Sequence, residues 1–287
     1  MIKPPHVISI QSQVVFGHVG NSAAVFPMQA AGLEVSAIPT VIFSNTPHYP
    51  TLRGAALTRD LFADLIRGAH ERDLPKRADY IISGYIGSVE VAELTADFIA
   101  EVKVANPGLS YICDPVMGDS GPGLYVPEAI ADVMRDRLLP MADVATPNQF
   151  ELGWLTDMPV TTMTELTAAR GALGIDASAD LIVSGAALQD TPQGHLESII
   201  LGKQGVSRHP TPHLPIALSG TGDLYTALIT AGLGRGRSLP HSVDLAQRLT
   251  AMALQRASDL GAMEIVLSDP EFLSALLNEY GALERSA

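Results

Sequence analysis

A short turn near the end of the chain combines flexible backbone with an acid. It reads Ser219-Gly220-Thr221-Gly222-Asp223, and an apolar stretch typical of a helix follows it. The first N–H groups of a helix have no partner within the helix and lie at the positive end of its dipole, so they bind anions without a basic side chain. A carboxylate beside an anion is repelled unless it handles a proton or a metal. The turn therefore predicts phosphoryl transfer, with Asp223 as the base.

A second segment supplies two carboxylates at the end of a predicted strand. Residues 113–119, CDPVMGD, hold Asp114 and Asp119 five positions apart, and the proline and glycine between them break regular structure. The second carboxylate can therefore curl back toward the first. Paired acids near a phosphate site suit Mg²⁺, which prefers oxygen ligands and keeps several waters. The alternative is that Asp114 caps a loop and Asp119 is solvated, and the anion turn favours metal binding over it.

A third segment, 146–152, places an amide near another carboxylate. Thr146 is a candidate N-cap of a helix, and Pro147 suits the first helical position. Asn148 and Glu151 are three residues apart and share a helix face, from which they could reach metal-bound water. A purely capping role for Glu151 is the alternative, and the two roles are compatible.

The front of the chain offers a pocket for an organic substrate. Residues 12–22 are rich in glycine, which predicts a loop whose backbone can approach a ligand closely. Ser12 could hydrogen-bond a ring nitrogen or a hydroxyl. Phe43 and Tyr85 lie near predicted strand ends, where aromatic walls suit a flat heteroaromatic substrate. Ordinary core packing is an equal alternative for each of these rings.

The apolar pattern predicts the scaffold that must position these segments. Short apolar runs alternate with amphipathic stretches, which is typical of a mainly parallel sheet covered by helices on both faces. The predicted strands are 7–10, 35–43, 80–83, 109–113, 144–145, 181–183 and 198–201. The predicted helices are 21–31, 58–72, 89–104, 128–139, 165–173, 222–231, 243–260 and 270–280. With no internal repeat or linker, we predict one α/β domain over residues 1–287.

In such a sheet, ligands bind beyond the carboxyl ends of the strands. Polar residues or glycines follow six of the predicted strands: Ser12, Ser44-Asn45, Ser83-Gly84-Tyr85, Asp114, Thr146-Pro147-Asn148 and Ser184-Gly185. Six such ends form a stronger signal than any one of them.

Composition excludes several functions. The 287 residues carry a net charge of −13, from 18 basic and 31 acidic residues, which argues against nucleic acid and anionic membrane surfaces as partners. The single cysteine, Cys113, rules out an intrachain disulfide and is consistent with a cytoplasmic location. No apolar run is long enough to span a membrane. Nucleophile-elbow, P-loop and zinc-ligand motifs are missing from the sequence.

The motifs, in this order, resemble the pyridoxal kinases of the ribokinase-like superfamily. The resemblance covers nearly the whole chain, and a Gly-Thr-Gly-Asp tetrapeptide alone would be weak evidence for it. It implies a ribokinase-like three-layer α/β/α sandwich with a mainly parallel central sheet. The segments that carry it are 12–22 with Gly-His-x-Gly-Asn-Ser, 43–45 with Phe-Ser-Asn, 83–88, 114–119, 146–151 and 220–223.

The resemblance implies ATP-dependent phosphorylation of the 5′-hydroxymethyl group of pyridoxal, giving pyridoxal 5′-phosphate in vitamin B6 salvage. Preference among pyridoxal, pyridoxine and pyridoxamine stays open. Asp223 would take the hydroxyl proton while amides of Gly220, Thr221 and Gly222 stabilise the transferring group. Asp119, with Asn148 and Glu151 partly through water, would place Mg²⁺ on the ATP phosphates. The residues implied near the phosphates and a monovalent cation, K⁺ or Na⁺, are Asp114, Thr146 and Ser184, and the implied metal ligands are Asp119, Asp114 and Glu151.

The acceptor pocket departs from the family pattern at one place. Many relatives have a threonine two residues after Phe-Ser-Asn, where this chain has Pro47, so either Thr46 or His48 substitutes for it. The pocket positions that the resemblance implies are Ser12, Phe43, Tyr85 and this loop. Family members tend toward homodimers, so we expect a homodimer.

Two other functions compete with this interpretation. Hydroxymethylpyrimidine kinases share the fold and the Gly-Thr-Gly-Asp turn, but typically begin with a glycine-rich Ser-Asp-x-Ser-Gly-Gly segment, where this chain has QSQVVFGH at 11–18. A non-catalytic vitamer carrier could retain a kinase fold. The intact acids, Asp114, Asp119, Glu151 and Asp223, favour an enzyme over a carrier.

Overall fold

The computed structural model describes residues 3–280. The strands are β1 (His6–Val14), β2 (Glu34–Phe43), β3 (Gly54–Ala56), β4 (Tyr80–Ser83), β5 (Ser110–Cys113), β6 (Gly118–Asp119), β7 (Gly123–Leu124), β8 (Val144–Ala145), β9 (Asp180–Ala186), β10 (His195–Gly202) and β11 (Gly205–Pro212). The helices are α1 (Asn21–Ala30), α2 (Arg59–Glu71), α3 (Leu74–Arg77), α4 (Val89–Ala105), α5 (Glu128–Val133), α6 (Gln149–Thr156), α7 (Met163–Ala172), α8 (Thr221–Gly234), α9 (Leu239–Leu260) and α10 (Pro270–Tyr280).

The central sheet has nine strands in the order β11-β10-β9-β8-β5-β4-β1-β2-β3. The six strands from β9 to β2 in this order pair in parallel, which confirms the predicted mainly parallel sheet. Both margins are antiparallel, because β3 returns along β2 and β10 and β11 form a hairpin beside β9. Strand β11 was not predicted, since its sequence GVSRHPTP is mostly polar and lies at the edge of the sheet.

Alternating side chains of the central strands build two cores. Ile81 of β4 and Tyr111 of β5 pack on one face, with α2, α4, α5, α6 and α7. Their neighbours in sequence, Ile82 and Ile112, point to the other face and pack with α1, α8, α9 and α10. All four side chains are fully buried. Helices therefore cover both faces, and the predicted three-layer α/β/α architecture is confirmed.

Two local predictions were wrong. The first strand continues to Val14, so Ser12 lies inside β1 rather than in a loop after it; a register shift between Gln11 and Gln13 accommodates the change. The N-cap of α6 is Asn148 and not Thr146, because the Asn148 side chain accepts a hydrogen bond from the Glu151 N–H. No helix among residues 3–280 is long and apolar enough to cross a bilayer.

The thiol of Cys113 provides a test of the core. It ends β5 with 1% of its surface exposed, and burial raises its pKa to about 12. Because the thiolate is the reactive form, we expect the native protein to resist a thiol reagent such as DTNB for hours. Protein unfolded in guanidinium should react within minutes and release one equivalent of thionitrobenzoate per chain. Full modification of the native chain on that shorter timescale would show that β5 is accessible.

Candidate active site

The site is centred on the start of helix α8. Gly220 is its N-cap, with a φ of 87° that favours glycine, and the first helical hydrogen bond runs from the Leu224 N–H to the Gly220 carbonyl (2.9 Å). The N–H groups of Thr221, Gly222 and Asp223 precede that bond and take no part in the helical ladder. An anion-binding terminus therefore stands next to an acid, as the sequence predicts.

Two glycines let the loop after β1 pack onto this turn. A Cβ on Gly220 would lie 1.8 Å from the carbonyl oxygen of His18. A Cβ on Gly20 would lie 2.2 Å from the hydroxyl oxygen of Ser12, and Gly20 also has a positive φ, 53°. Both contacts leave no room for a side chain: Gly220 lets the turn before α8 pack against loop 15–20, and Gly20 lets that loop pack against β1.

Asp223 has the properties of a proton acceptor. It is 7% exposed, and its Oδ1 is buried without a hydrogen-bond partner among the described residues. Burial raises the pKa of this carboxyl above its ordinary value, while the nearby N–H of Gly20 opposes the rise. A base works best when its pKa lies closer to neutral pH. The orphaned oxygen is therefore suited to receive a hydroxyl proton.

Asp114 lies directly after β5 and is joined to α8 by a hydroxyl network. Its Oδ2 accepts a hydrogen bond from Thr226 (3.0 Å), whose hydroxyl oxygen lies 3.1 Å from that of Thr146. Because Thr226 has a single hydroxyl proton, Thr146 donates to it. Burial, followed by the carboxylates of Glu151 and Asp223, holds the pKa of Asp114 well above its ordinary value. The structure thus brings three predicted acids close enough to influence one another.

Glu151 ties helix α6 to the strand-end loop. One of its carboxylate oxygens accepts hydrogen bonds from the N–H groups of Met117 (2.9 Å) and Gly118 (3.4 Å), and the other accepts one from Asn148 (2.9 Å). Asn148 in turn donates from its side chain to the Gly118 carbonyl (2.9 Å). The capping alternative is therefore realised, and the same bonds hold the hairpin that carries Asp119.

Opposing effects set the protonation of Glu151. Burial raises its pKa to about 7, the three backbone N–H groups oppose the rise, and the carboxylate of Asp119 adds to it. A carboxyl in this range exchanges its proton near neutral pH.

The predicted metal ligands do not form a ready-made cage. Asp119 is exposed on the β6–β7 hairpin, and its Oδ1 accepts a hydrogen bond from the Ser120 N–H (2.6 Å). Within residues 3–280, no three His, Cys, Asp or Glu side chains converge closely enough to hold a metal by themselves. Such an arrangement fits Mg²⁺ carried on phosphates, which needs only one or two protein carboxylates. The roles of Asp114, Asp119 and Glu151 as ligands stay predictions.

Ser184 lies on the same side of the site as the acids. It forms a bridge with Asn148, and its N–H donates to the carbonyl of Pro147 (3.0 Å). The strand continues past it to Ala186, so Ser184 lies within β9 rather than after it. The residues predicted for the nucleotide therefore gather at the ends of β5, β8 and β9.

The residues predicted for the acceptor gather at the ends of β1, β2 and β4. Ser12 is 5% exposed, and Phe43 and Tyr85 are partly buried. The backbone carbonyl of Tyr85 accepts a hydrogen bond from Thr40 of β2 (2.7 Å), which fixes the chain after β4 against its neighbour. Burial raises the pKa of the Tyr85 hydroxyl, so it stays protonated and able to donate.

The loop after β2 holds Thr46 and His48, the two residues next to Pro47 that are candidates for contacting the acceptor. Thr46 is fully buried, and its hydroxyl lies 2.7 Å from His48 Nδ1 and 3.2 Å from Glu264 Oε1. That hydroxyl is engaged within the protein, whereas His48 is exposed. The geometry therefore favours His48 as the residue of this loop that meets an acceptor, and a direct contact from Thr46 stays a prediction.

Sequence reasoning missed three residues of the site. Thr226 looked like an ordinary helical residue, although its spacing of three from Asp223 places it on the same helix face. Tyr125 follows β7 and is 48% exposed, and desolvation together with Glu151 and three further acids of the site raises the pKa of its hydroxyl. Glu264 joins the acceptor loops from a distant part of the chain, and no local motif marks it.

Comparison with known proteins agrees with this geometry. Residues 65–267 match the model of the phosphomethylpyrimidine kinase family. The pyridoxal kinase PdxY of Leifsonia xyli subsp. xyli is 41% identical over 225 residues, covering 78% of this chain and 80% of the relative. The pyridoxal kinase PdxY of Rubrobacter xylanophilus is 39% identical over 263 residues, covering 91% of each chain. The chain therefore belongs to the pyridoxal kinase family.

A solved structure supports the same assignment. The pyridoxal kinase of Leishmania donovani in complex with ADP and pyridoxine superposes with a TM-score of 0.83 at 29% identity, covering 94% of both chains. The ribokinase-like fold is thereby confirmed.

The buried Glu151 predicts how stability depends on pH. Between about pH 4.5 and 7 the folded carboxyl, with its pKa raised to about 7, keeps a proton that the unfolded chain has released. Unfolding then releases a proton, so the free energy of unfolding falls as pH rises through this window. We expect Glu151→Gln to reduce that slope by up to about 1.4 kcal/mol per pH unit, the value for one proton.

Urea titrations of the metal-free kinase in EDTA from pH 4.5 to 8 would measure this. Glu165→Gln is a matched control, because Glu165 occupies the same capping-box position in α7. Its pKa is lowered by hydrogen bonds from the side chain and N–H of Thr161, so its titration falls below the window. Equal slopes for wild type and Glu151→Gln would contradict the assignment.

The contact between Gly220 and His18 predicts a loss of activity. We expect Gly220→Ala to displace the turn and lower kcat by ~10²-fold, the scale for a misplacement of about 1 Å. Gly236→Ala is the matched control, since Gly236 also has a positive φ, 74°, but has open space where the Cβ would go. It should lose about 1–2 kcal/mol of stability and keep its kcat. Comparable kcat values for the two variants would show that the contact is not needed.

Proposed function

We propose that this kinase transfers the γ-phosphoryl group of ATP to the 5′-hydroxymethyl group of pyridoxal, forming pyridoxal 5′-phosphate in vitamin B6 salvage. The observation that carries the proposal is Asp223, a buried acid with an unpartnered oxygen at the first turn of α8. A base and an anion-binding terminus are the two groups that phosphoryl transfer to an alcohol requires.

The chemical step follows from this arrangement. The acceptor oxygen forms a bond with the γ-phosphorus as the bond from that phosphorus to the β,γ-bridging oxygen breaks, and ADP leaves. The hydroxyl proton goes to Asp223. The N–H groups of Gly220, Thr221 and Gly222 face the negative charge that develops on the transferring group. A positioned base contributes roughly 10²–10⁴-fold to such a step.

The oxygen-only donor set suits Mg²⁺ on the nucleotide. Asp119 would hold the ion, Asn148 and Glu151 would reach it through water, and Asp114 would lie close to it. When bound, Mg²⁺ neutralises phosphate charge. Asp114, Thr146 and Ser184 are proposed to lie near the phosphates and a monovalent cation, K⁺ or Na⁺.

The domain organisation, location and assembly of the kinase are proposed on separate grounds. Nine strands, drawn from the start to the end of the strand-bearing part of the chain, form one sheet, which supports a single domain over residues 1–287. The lone cysteine and the acidic composition support a cytoplasmic location without nucleic acid or membrane partners. The family supports a homodimer.

An acceptor panel tests the proposed substrate. ADP release with Mg-ATP would be followed with pyridoxal, pyridoxine, pyridoxamine and hydroxymethylpyrimidine in parallel, with excess EDTA as the blank. We expect turnover of pyridoxal at least. Turnover of the pyrimidine alone would replace the proposal with the rival kinase, and tight vitamer binding without turnover would indicate a carrier.

The role of Asp223 makes a separate prediction. We expect Asp223→Asn to lower kcat by roughly 10² or more, because the amide cannot accept the proton. The Kd for ADP should change little, since the backbone N–H groups of the turn remain. Steady-state kinetics and calorimetric ADP titration would measure the two effects. A kcat close to that of the wild type would remove Asp223 from the role of base.

A further inference from the structure

Glu264 is a buried carboxylate far from the acids of the site. It lies between α9 and α10, is 9% exposed, and within residues 3–280 its one ion-pair partner is a histidine rather than a lysine or arginine. A buried carboxylate needs hydrogen bonds to offset its desolvation. The groups that supply them belong to two loops of the acceptor side.

The first loop is 15–20, which follows β1. Glu264 Oε2 accepts a hydrogen bond from the His18 N–H (3.2 Å). Gly17 packs so closely that a Cβ on it would lie 2.6 Å from the carboxylate, and its φ of 93° also favours glycine. Both residues therefore take their positions from Glu264.

The second loop is 44–53, which follows β2. Glu264 Oε1 accepts a hydrogen bond from the hydroxyl of Thr46 (3.2 Å) and lies 3.6 Å from His48 Nε2. Because Thr46 has a single hydroxyl proton, donating it to Glu264 requires His48 Nδ1–H to donate to Thr46. The Glu264 carboxylate thus fixes the donor and the acceptor in both hydrogen bonds of this chain, up to the exposed imidazole of His48.

The two loops also meet each other and the turn before α8. The Phe16 N–H donates to the Ser44 carbonyl (2.9 Å), and the ring of Tyr49 lies 5.8 Å from that of Phe16. Ser219 Oγ lies 3.4 Å from His48 Nδ1. The carbonyl of His18 contacts Gly220, as described above. The residues bonded to Glu264 therefore contact Ser219 and Gly220, the two residues that lead into the turn of Asp223.

We propose that Glu264 is a positioning residue for the acceptor: it holds loops 15–20 and 44–53 in register with the turn that carries Asp223. The inference rests on the proposed function, since it assigns these loops to the alcohol substrate. The nucleotide residues at the ends of β5, β8 and β9 make no hydrogen bond with Glu264 in the described part of the chain. Losing its charge should therefore affect the acceptor and leave ATP unaffected.

The test compares Glu264→Gln with wild type in acceptor and nucleotide binding. We expect the KM and Kd for pyridoxal to rise about tenfold or more, the scale for disturbing hydrogen bonds to a charged group. The KM for ATP and the Kd for ADP should stay within about twofold. A parallel rise for both substrates, or no rise for pyridoxal, would overturn the proposal.

Asp269→Asn is the matched control for a merely structural effect. Asp269 lies on the same segment, is 7% exposed, and caps α10 through the N–H groups of Glu271 and Phe272 while pairing with Arg256. We expect its loss to lower the Tm and leave both KM values unchanged. If it reproduces the pyridoxal-specific effect, Glu264 acts through the stability of the segment and the proposal fails.

A double-mutant cycle with Thr46→Val tests the route of the effect. Each single variant should raise the KM for pyridoxal. The double variant should raise it by less than the product of the two single-variant fold-increases, because both substitutions break the same hydrogen bond between Thr46 and Glu264. Multiplicative effects would overturn that route. If Glu264→Gln does not fold, Thr46→Val alone tests the proposal, and it should raise the KM for pyridoxal and leave the KM for ATP unchanged.

The wild-type acceptor panel separates the two proposals. If the wild type turns over only the pyrimidine, the proposed function fails, and the same Glu264→Gln comparison is made with that acceptor. A pyrimidine-specific rise in KM would then still support Glu264 as a positioning residue, and its absence would overturn it.

Discussion

Three carboxylates, Asp114, Glu151 and Asp223, are buried close together, and none of them joins an ion pair with a described lysine or arginine. Burial raises the pKa of each, and the carboxylates of Glu151 and Asp223 raise that of Asp114 further. Threonine hydroxyls and backbone N–H groups offset part of this cost, but a substrate phosphate would add further negative charge. This crowding supports the proposal that a cation accompanies the anionic nucleotide, since it would bring positive charge to a site in a chain with net charge −13.

The fold offsets part of the free-energy cost of burying these acids together. Parallel strands bring Asp114 and the Thr146–Asn148 segment to one edge of the sheet, where the starts of α6 and α8 also lie. Each helix start supplies N–H groups that favour negative charge. Glu151 uses those of its own capping box, and Asp223 lies in the first turn of α8. We propose that the start of α8, which lies next to Asp223, also receives the transferring phosphoryl group.

Much of this arrangement could be predicted from the sequence, and the failures have identifiable causes. Apolar runs such as that of β4 encode strand and buried face locally, so the parallel core and the acids at its edge were predicted correctly. Strand β11 could not be predicted, because an edge strand buries few side chains and its sequence has no clear apolar pattern. The glycines near Ser12 predict a loop there, but the first of them is Gly17, and β1 continues through Ser12 to Val14 before it. Glu264 has no local signal at all, since its partners His18 and Thr46 are more than 200 residues away.

The long-range contacts also separate the two halves of the site. Glu151 and Asn148 hold the nucleotide side through bonds to the 117–118 backbone, while Glu264 holds the acceptor side through bonds to two loops. Asp223 is buried in the first turn of α8, which contacts loop 15–20 through Gly220. Changes in loops 15–20 and 44–53 can therefore alter the acceptor without disturbing the acids, provided that the glycine contacts with the turn are kept. Under the proposed function, the choice of acceptor therefore depends on the loops that Glu264 joins, while the acids serve the phosphoryl transfer.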